Sequence, residues 1–208
     1  MNRIYRRQRH IYDATRKYFL LGRDLLIDQL TPPPGACVLE IGCGTGRNLI
    51  VAARHYPDAR FFGIDISTEM LTSAIEAIAR AGLSSRVRVA HADATAFDPE
   101  RLFGKARFDC VFISYSLSMI PAWRMVLDGA IAQLAPGGEL HIVDFGGQQD
   151  LPRWFRGLLR RWLALFHVVP RDDFEEAVTE SAQHLGATLL YRRPYRDYAQ
   201  YARFRLAA

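Results

Sequence analysis

Three glycines at alternate positions, Gly42, Gly44 and Gly46, follow directly on the apolar stretch at residues 36–41. No other feature restricts the fold of this chain more. Glycine lets a backbone turn sharply and lets a ligand lie against the main chain. Where a strand ends in such a cluster and a helix follows, the turn lies at the carboxyl edge of an α/β sheet, the place where such sheets bind ligands.

The rest of the chain repeats the pattern. Short apolar runs at 36–41, 61–66, 87–90, 108–114 and 139–145 read as strands. Between them, 47–55, 67–82 and 122–134 read as helices, with Ser67 as a cap and Gly82 and Pro136 as stops. Strands alternating with helices of this length predict βαβ units on a parallel sheet. Their lack of internal polar alternation predicts burial on both faces. After residue 150 an amphipathic segment, an acidic helix near 171–185 and two strands near 187–191 and 198–206 predict an antiparallel ending. The expected fold is α/β: a Rossmann-like seven-stranded, mostly parallel sheet with helices on both faces and a C-terminal antiparallel hairpin.

The 208 residues suffice for one such domain with a full core. Its expected segments are 1–31, a core at 36–145, a helix at 151–171 and a C-terminal helix and hairpin at 172–208. Residues 3–30 read as a helix, with Ile4, Ile11, Tyr18, Leu21 and Leu25 at near-heptad spacing and Pro32, Pro33 and Pro34 ending it. No apolar run reaches a membrane-spanning length, and the basic N-terminus lacks the apolar stretch of a signal peptide. The odd cysteine count, at Cys37, Cys43 and Cys110, and the absence of metal-ligand spacing point to a reducing cytoplasm and no metal.

The net charge of +5 is unevenly placed. Arg3, Arg6, Arg7, Arg9, Arg16, Lys17 and Arg23 face Asp13 alone within the first 23 residues, and Arg153, Arg156, Arg160 and Arg161 have no acid among them. Two basic blocks suit an anionic surface, lipid or nucleic acid.

The motif VLEIGCGTGRN, residues 38–48, carries the cofactor chemistry. Its G-x-G-x-G spacing puts Arg47 where a dinucleotide fold wants its last glycine or alanine, so the pyrophosphate fingerprint is not met. Glu40, two residues before the first glycine, suits the ammonium of a cofactor with an amino-acid tail. Asp65, ending the second strand, stands where an acid bonds ribose hydroxyls. Ile66 and Met70 are placed to flank an adenine, Asp93 to accept from its amino group, and Ser114 and Tyr115 to mark the rim where cofactor and acceptor meet. Cys43, Asn48 and Ala94 complete the cofactor set. Each Asp taken singly could merely cap a turn.

This set resembles the class I S-adenosylmethionine-dependent methyltransferases over residues 36–145. The resemblance implies S-adenosylmethionine as cofactor and S-adenosylhomocysteine as product. Further stretches are similar to the diacylglyceryl homoserine N-methyltransferases: YRRQRHIYDATRKYFLLGRDLLI (5–27), SYSLSMIPAW (114–123), LHIVDFG (140–146) and LPRWFRGLLRRWLALFHVVPR (151–171). The opening stretch is shared with bacterial phosphatidylethanolamine N-methyltransferases. That resemblance implies three methyl transfers to a homoserine amine, giving the betaine lipid diacylglyceryl-N,N,N-trimethylhomoserine.

An amine-bearing glycerolipid acceptor and peripheral contact with the anionic inner face of the membrane are therefore expected. On helical spacing Trp154, Phe155, Leu158, Leu159, Trp162, Leu163 and Phe166 form one wide apolar face flanked by arginines, a pattern suited to a headgroup layer or to packing on the sheet. Tyr115, Asp144, Tyr12 and His141 are candidates for positioning the amine, although His141 also reads as a satisfied core histidine. Tyr5, Tyr12, Tyr18 and Tyr115 are candidates for holding the quaternary ammonium product, and Arg6, Arg9 and Arg16 for holding the homoserine carboxylate. Tyr12 and Tyr18 read equally as packing. A nucleic-acid methyltransferase is the main rival, but SYSL stands where NPPY or DPPY would, so no nucleic-acid partner is expected. A second rival is a noncatalytic binding protein that keeps the pocket.

Overall fold

A computed structural model describes residues 20–207. Its seven strands are β1 (Cys37–Ile41), β2 (Arg60–Asp65), β3 (Val87–His91), β4 (Phe108–Ser114), β5 (Leu134–Phe145), β6 (Thr188–Arg192) and β7 (Ala199–Arg205). They form one sheet in the order β3-β2-β1-β4-β5-β7-β6. The first five run parallel, while β7 lies antiparallel between β5 and β6. The order reverses between β1 and β4, which opens a crevice at their carboxyl ends.

Among the described residues the main helices beside the strands are α1 (Arg23–Gln29), α2 (Arg47–His55), α3 (Thr68–Arg80), α4 (Pro99–Phe103), α5 (Trp123–Ala132), α6 (Arg153–Ala164) and α7 (Phe174–Leu185). Alternate strand residues feed two separate cores. Val38, Phe61, Cys110, Phe112 and Val143 pack with α1, α2, α3 and the inner residues of α6. Leu39, Phe62, Val111, Ile113 and Ile142 pack with Phe103, α5 and α7 on the other face. Both faces are thus covered, which is why the strands lack polar alternation.

Three local expectations need correction. The helix expected over 3–30 is not continuous, because Gly22 caps α1 from the left-handed region at φ 90° and residues 20–22 are not helical. A Cβ at Gly22 would lie 3.2 Å from Val143 Cγ2. The strand expected from 139 begins at Leu134, since the Pro136–Gly138 turn is absorbed as an irregularity in β5. The helix expected over 151–171 ends at Ala164, and the chain then turns back so that Val169 N–H donates to the Ser118 carbonyl at 2.8 Å. The short helix α4, capped by Asp98 on the amides of Glu100 and Arg101, was not expected. None of the helices among the described residues is long and apolar enough to cross a membrane.

Candidate active site

The glycine loop joins β1 to α2. Gly42, Gly44 and Gly46 all have positive φ, at 76°, 53° and 75°. At Gly42 the need is also steric, because a Cβ would come within 2.6 Å of Ser116 Cβ. Ser116 itself donates to the Ile41 carbonyl at 3.2 Å, so the turn after β4 rests on the loop after β1.

The amides of Gly42, Cys43, Gly44 and Gly46 are spent inside the protein. Gly42 and Cys43 N–H both donate to the Ile64 carbonyl at 2.9 Å, and Gly46 N–H donates to Cys43 at 2.9 Å. Gly44 N–H donates to Asp65 Oδ2 at 2.8 Å, and Ser67 N–H donates to the other oxygen at 2.9 Å. A pyrophosphate cradle needs such amides pointing at the ligand. This loop offers carboxylates instead: Asp65 at its side and buried Glu40 beneath, with Glu40 Oε1 accepting from Asn48 Nδ2 at 2.8 Å. Burial pushes the Cys43 thiol well up, and the neighbouring Glu40 and Asp65 push it further. The local field therefore favours a cationic ligand over an anionic one, which fits the ammonium and sulfonium of S-adenosylmethionine.

The remaining cofactor candidates line the same edge. Ile66 is well exposed beside Asp65, while Met70 is buried with its N–H on Ser67 Oγ at 3.3 Å. Asp93 is exposed after β3, and its Oδ1 accepts from Thr95 N–H at 2.8 Å and Thr95 Oγ1 at 2.7 Å. These bonds hold its carboxyl below the usual range. Ala94 is half-buried next to it. The buried Ser114 hydroxyl has no hydrogen-bond partner among the described residues, the kind of group a bound ligand completes. Glu40, Gly42, Cys43, Gly44, Asn48, Asp65, Ile66, Met70, Asp93, Ala94 and Ser114 thus gather at the carboxyl ends of β1 to β4. They can hold a nucleoside with an amino-acid tail.

The amine-positioning candidates divide. Tyr115 continues β4 at φ 56°, a strained value for a bulky residue, with its hydroxyl on the Leu21 carbonyl and its ring 4.7 Å from that of Phe145. Burial pushes its phenol well up. It ties the chain before α1 to the rim. Asp144 is also buried, which raises its carboxyl. Its oxygens accept from Ser118 N–H at 2.9 Å and Phe145 N–H at 2.7 Å, so it holds the turn after β4. His141 is not brought to the rim. It lies within β5, with Nδ1 2.9 Å from the Tyr201 hydroxyl and Nε2 2.9 Å from Glu139 Oε2. Tyr5, Arg6, Arg9, Tyr12, Arg16 and Tyr18 lie outside the described residues.

Two arginines were not singled out from the sequence for what they do here. Arg171 donates to the carbonyls of Leu117 at 3.2 Å and Ile120 at 2.7 Å, closing the turn after β4. Arg160, read from the sequence as part of a basic surface, turns inward to Gln148 Oε1 at 3.1 Å and the Gly147 carbonyl at 3.2 Å. No local pattern signals either role, because the partners lie 12 to 54 positions away in the chain.

Comparison with known proteins finds methyltransferases. Residues 38–138 match the methyltransferase domain model. Over that stretch the chain is similar to a methyltransferase domain, and its fold is that of solved S-adenosylmethionine-dependent methyltransferases. Nocamycin O-methyltransferase of Saccharothrix syringae is 30% identical over 188 residues, which are 89% of this chain and 64% of that one. Among solved structures, the S-adenosylmethionine-dependent methyltransferase SibL in its apo form superposes with a TM-score of 0.72 at 22% identity, over 95% of this chain and 58% of that one. Phosphoethanolamine N-methyltransferase 2 of Haemonchus contortus, in complex with S-adenosylmethionine, gives a TM-score of 0.70 at 18% identity, over 90% of this chain and 52% of that one. These two structural likenesses show the fold alone. The chain spans less than two thirds of the length of all three.

Proposed function

We propose that this methyltransferase domain binds S-adenosylmethionine and transfers its methyl group to the amine of a membrane lipid headgroup, with diacylglyceryl homoserine as the first acceptor. The glycine loop with the Asp65 and Glu40 carboxylates beside it supports the cofactor. The observation that carries the lipid acceptor is the outer face of α6. Trp154 is 73% exposed and Leu158 62%, with the Phe155 ring against Trp154, and Leu165 at the end of the helix is 76% exposed. Arg153 and Arg161 flank these residues in solvent. Large apolar side chains bordered by arginine suit the headgroup region of an anionic bilayer. The inner face of the same helix reaches the loop after β5 through Arg160, so a lipid met by α6 lies near the acceptor edge.

The chemistry asked of the chain is modest. A neutral amine attacks the methyl carbon in line, the carbon–sulfur bond breaks, and the sulfur leaves as a thioether. The protein brings amine and methyl to contact distance and excludes bulk water. The amine's proton must leave before each attack. In this reading the cytoplasmic face of the inner membrane is the place of work.

Labelled S-adenosylmethionine, offered with diacylglyceryl homoserine and phosphatidylethanolamine side by side in mixed micelles, tests the proposal. Label in the homoserine lipid, running on to the trimethyl product, is the expected result. Label in phosphatidylethanolamine alone moves the chain to that acceptor. Label in neither sinks the lipid reading.

A further inference from the structure

The turn between β6 and β7 holds the least usual backbone among the described residues. Tyr195, Arg196 and Asp197 follow one another in the left-handed region, at φ 59°, 59° and 60°. L side chains resist this conformation, and glycine or asparagine would make the turn with less strain. Strain of this kind persists where the surroundings over-determine it, and it gathers at functional sites.

The surroundings do over-determine it. Asp197 is buried, with its carbonyl accepting from Gln148 N–H at 2.8 Å and its Oδ2 from Gln149 N–H at 2.9 Å. Gly146 N–H donates to the Tyr198 carbonyl at 2.9 Å, and a Cβ at Gly146 would lie 2.4 Å from the Asp197 carbonyl oxygen. Arg160 grips the same loop through Gln148 and Gly147. Turn 195–197 and loop 146–149 are therefore one latched block. It stands at the carboxyl edge, because Ala199 pairs with Phe145 where β7 begins and β5 ends.

The block presents one aromatic side chain to solvent at this edge. Tyr195 is 47% exposed, and a Cβ at Gly22 would lie 3.5 Å from its Cε2. The buried carboxylate of Asp197, two positions on in the same turn, adds a negative group to this edge. The cofactor candidates occupy the ends of β1 to β4, which leaves this edge for the acceptor. We propose that Tyr195 is an aromatic face for the acceptor's ammonium group, held toward it by the latched left-handed turn. An alkylated ammonium is drawn to a ring face by the ring's quadrupole, and the attraction does not need the phenol hydroxyl. The assignment of this edge to an acceptor rests on the reading of the chain as an amine methyltransferase.

The full chain and its Tyr195→Ala and Tyr195→Phe variants are compared in two measurements. Saturation-transfer NMR with choline chloride reads contact with a trimethylammonium group. Wild type and Y195F should transfer to the N-methyl resonance, and Y195A should lose about fivefold or more, with S-adenosylhomocysteine affinity unchanged. In the lipid methylation assay Y195A should raise the acceptor KM about tenfold with kcat within about threefold, and Y195F should match wild type. No transfer from wild type, equal transfer from Y195A, or a Y195F as impaired as Y195A overturns the assignment. A wild type that contacts choline through Tyr195 yet labels no lipid supports the aromatic face and sinks the lipid acceptor.

Discussion

His141 shows how a residue's chemistry is decided by what surrounds it. Burial, helped by the nearby Arg203 and Arg205, keeps its imidazole below the ordinary value of 6.5 against the upward pull of Glu139. The folded protein therefore resists a proton that the unfolded chain accepts below that value. Stability present above pH 6.5 is lost as the pH falls from there toward the depressed folded value. Glu139 beside it is held below its ordinary 4.5 by His141 and Arg205 against the cost of burial, so its own contribution is lost in a separate window, below pH 4.5. His141→Gln should cost about 1–3 kcal/mol at pH 7.5 and flatten the loss that sets in below pH 6.5, as read by urea unfolding at each pH. An unchanged slope would mean that another group carries it. At this scale the sequence exposes Glu40 and Asp65, because their offsets from a glycine loop and a strand end are local. It conceals Ser116, Arg160, Arg171 and Tyr195, whose roles depend on partners far off in the chain.

Helix α6 is the element where sequence pattern and structure part. Spacing puts seven apolar residues on one face. The structure sorts them by depth: Leu159 and Leu163 enter the core beneath, Trp162 and Phe166 pack half-buried at its margin, and Trp154 and Leu158 stand in solvent. Helical periodicity finds an apolar stripe but cannot say where along its width the sheet ends and solvent begins. Trp162 is thus a packing residue, and a test of membrane contact belongs on Trp154 and Leu158. Changing both to Ser should weaken partition to vesicles containing phosphatidylglycerol by about tenfold or more, with melting temperature and cofactor affinity preserved. Wild-type sedimentation with vesicles would remove this face from the membrane. The strands of the parallel core were legible for the opposite reason, since each is a short apolar run closed by its own turn signal. Gly22, which breaks the first helix, was not. Its left-handed geometry answers to Val143 and Tyr195, far off in sequence.

On the scale of the whole molecule, one sheet separates two cores, and the proposed function divides its carboxyl edge between two tasks. The ends of β1 to β4 gather a glycine loop and acids with a field suited to a cationic cofactor. The ends of β4 and β5, with the turn before β7, are tied together by Asp144, Arg171, Asp197 and Arg160. The parallel half of this plan was readable from alternation of strand and helix. The insertion of β7 between β5 and β6 was not, because antiparallel pairing of distant strands leaves no local mark. The plan makes Asp65 its pivot, since that carboxylate joins the loop after β1 to the turn after β2. Titration calorimetry of S-adenosylmethionine into wild type and Asp65→Ala tests this most directly. The account predicts a single site in the wild type and loss of measurable binding in D65A, with the variant still folded by circular dichroism. No heat from the wild type, or equal affinity in the variant, would contradict it.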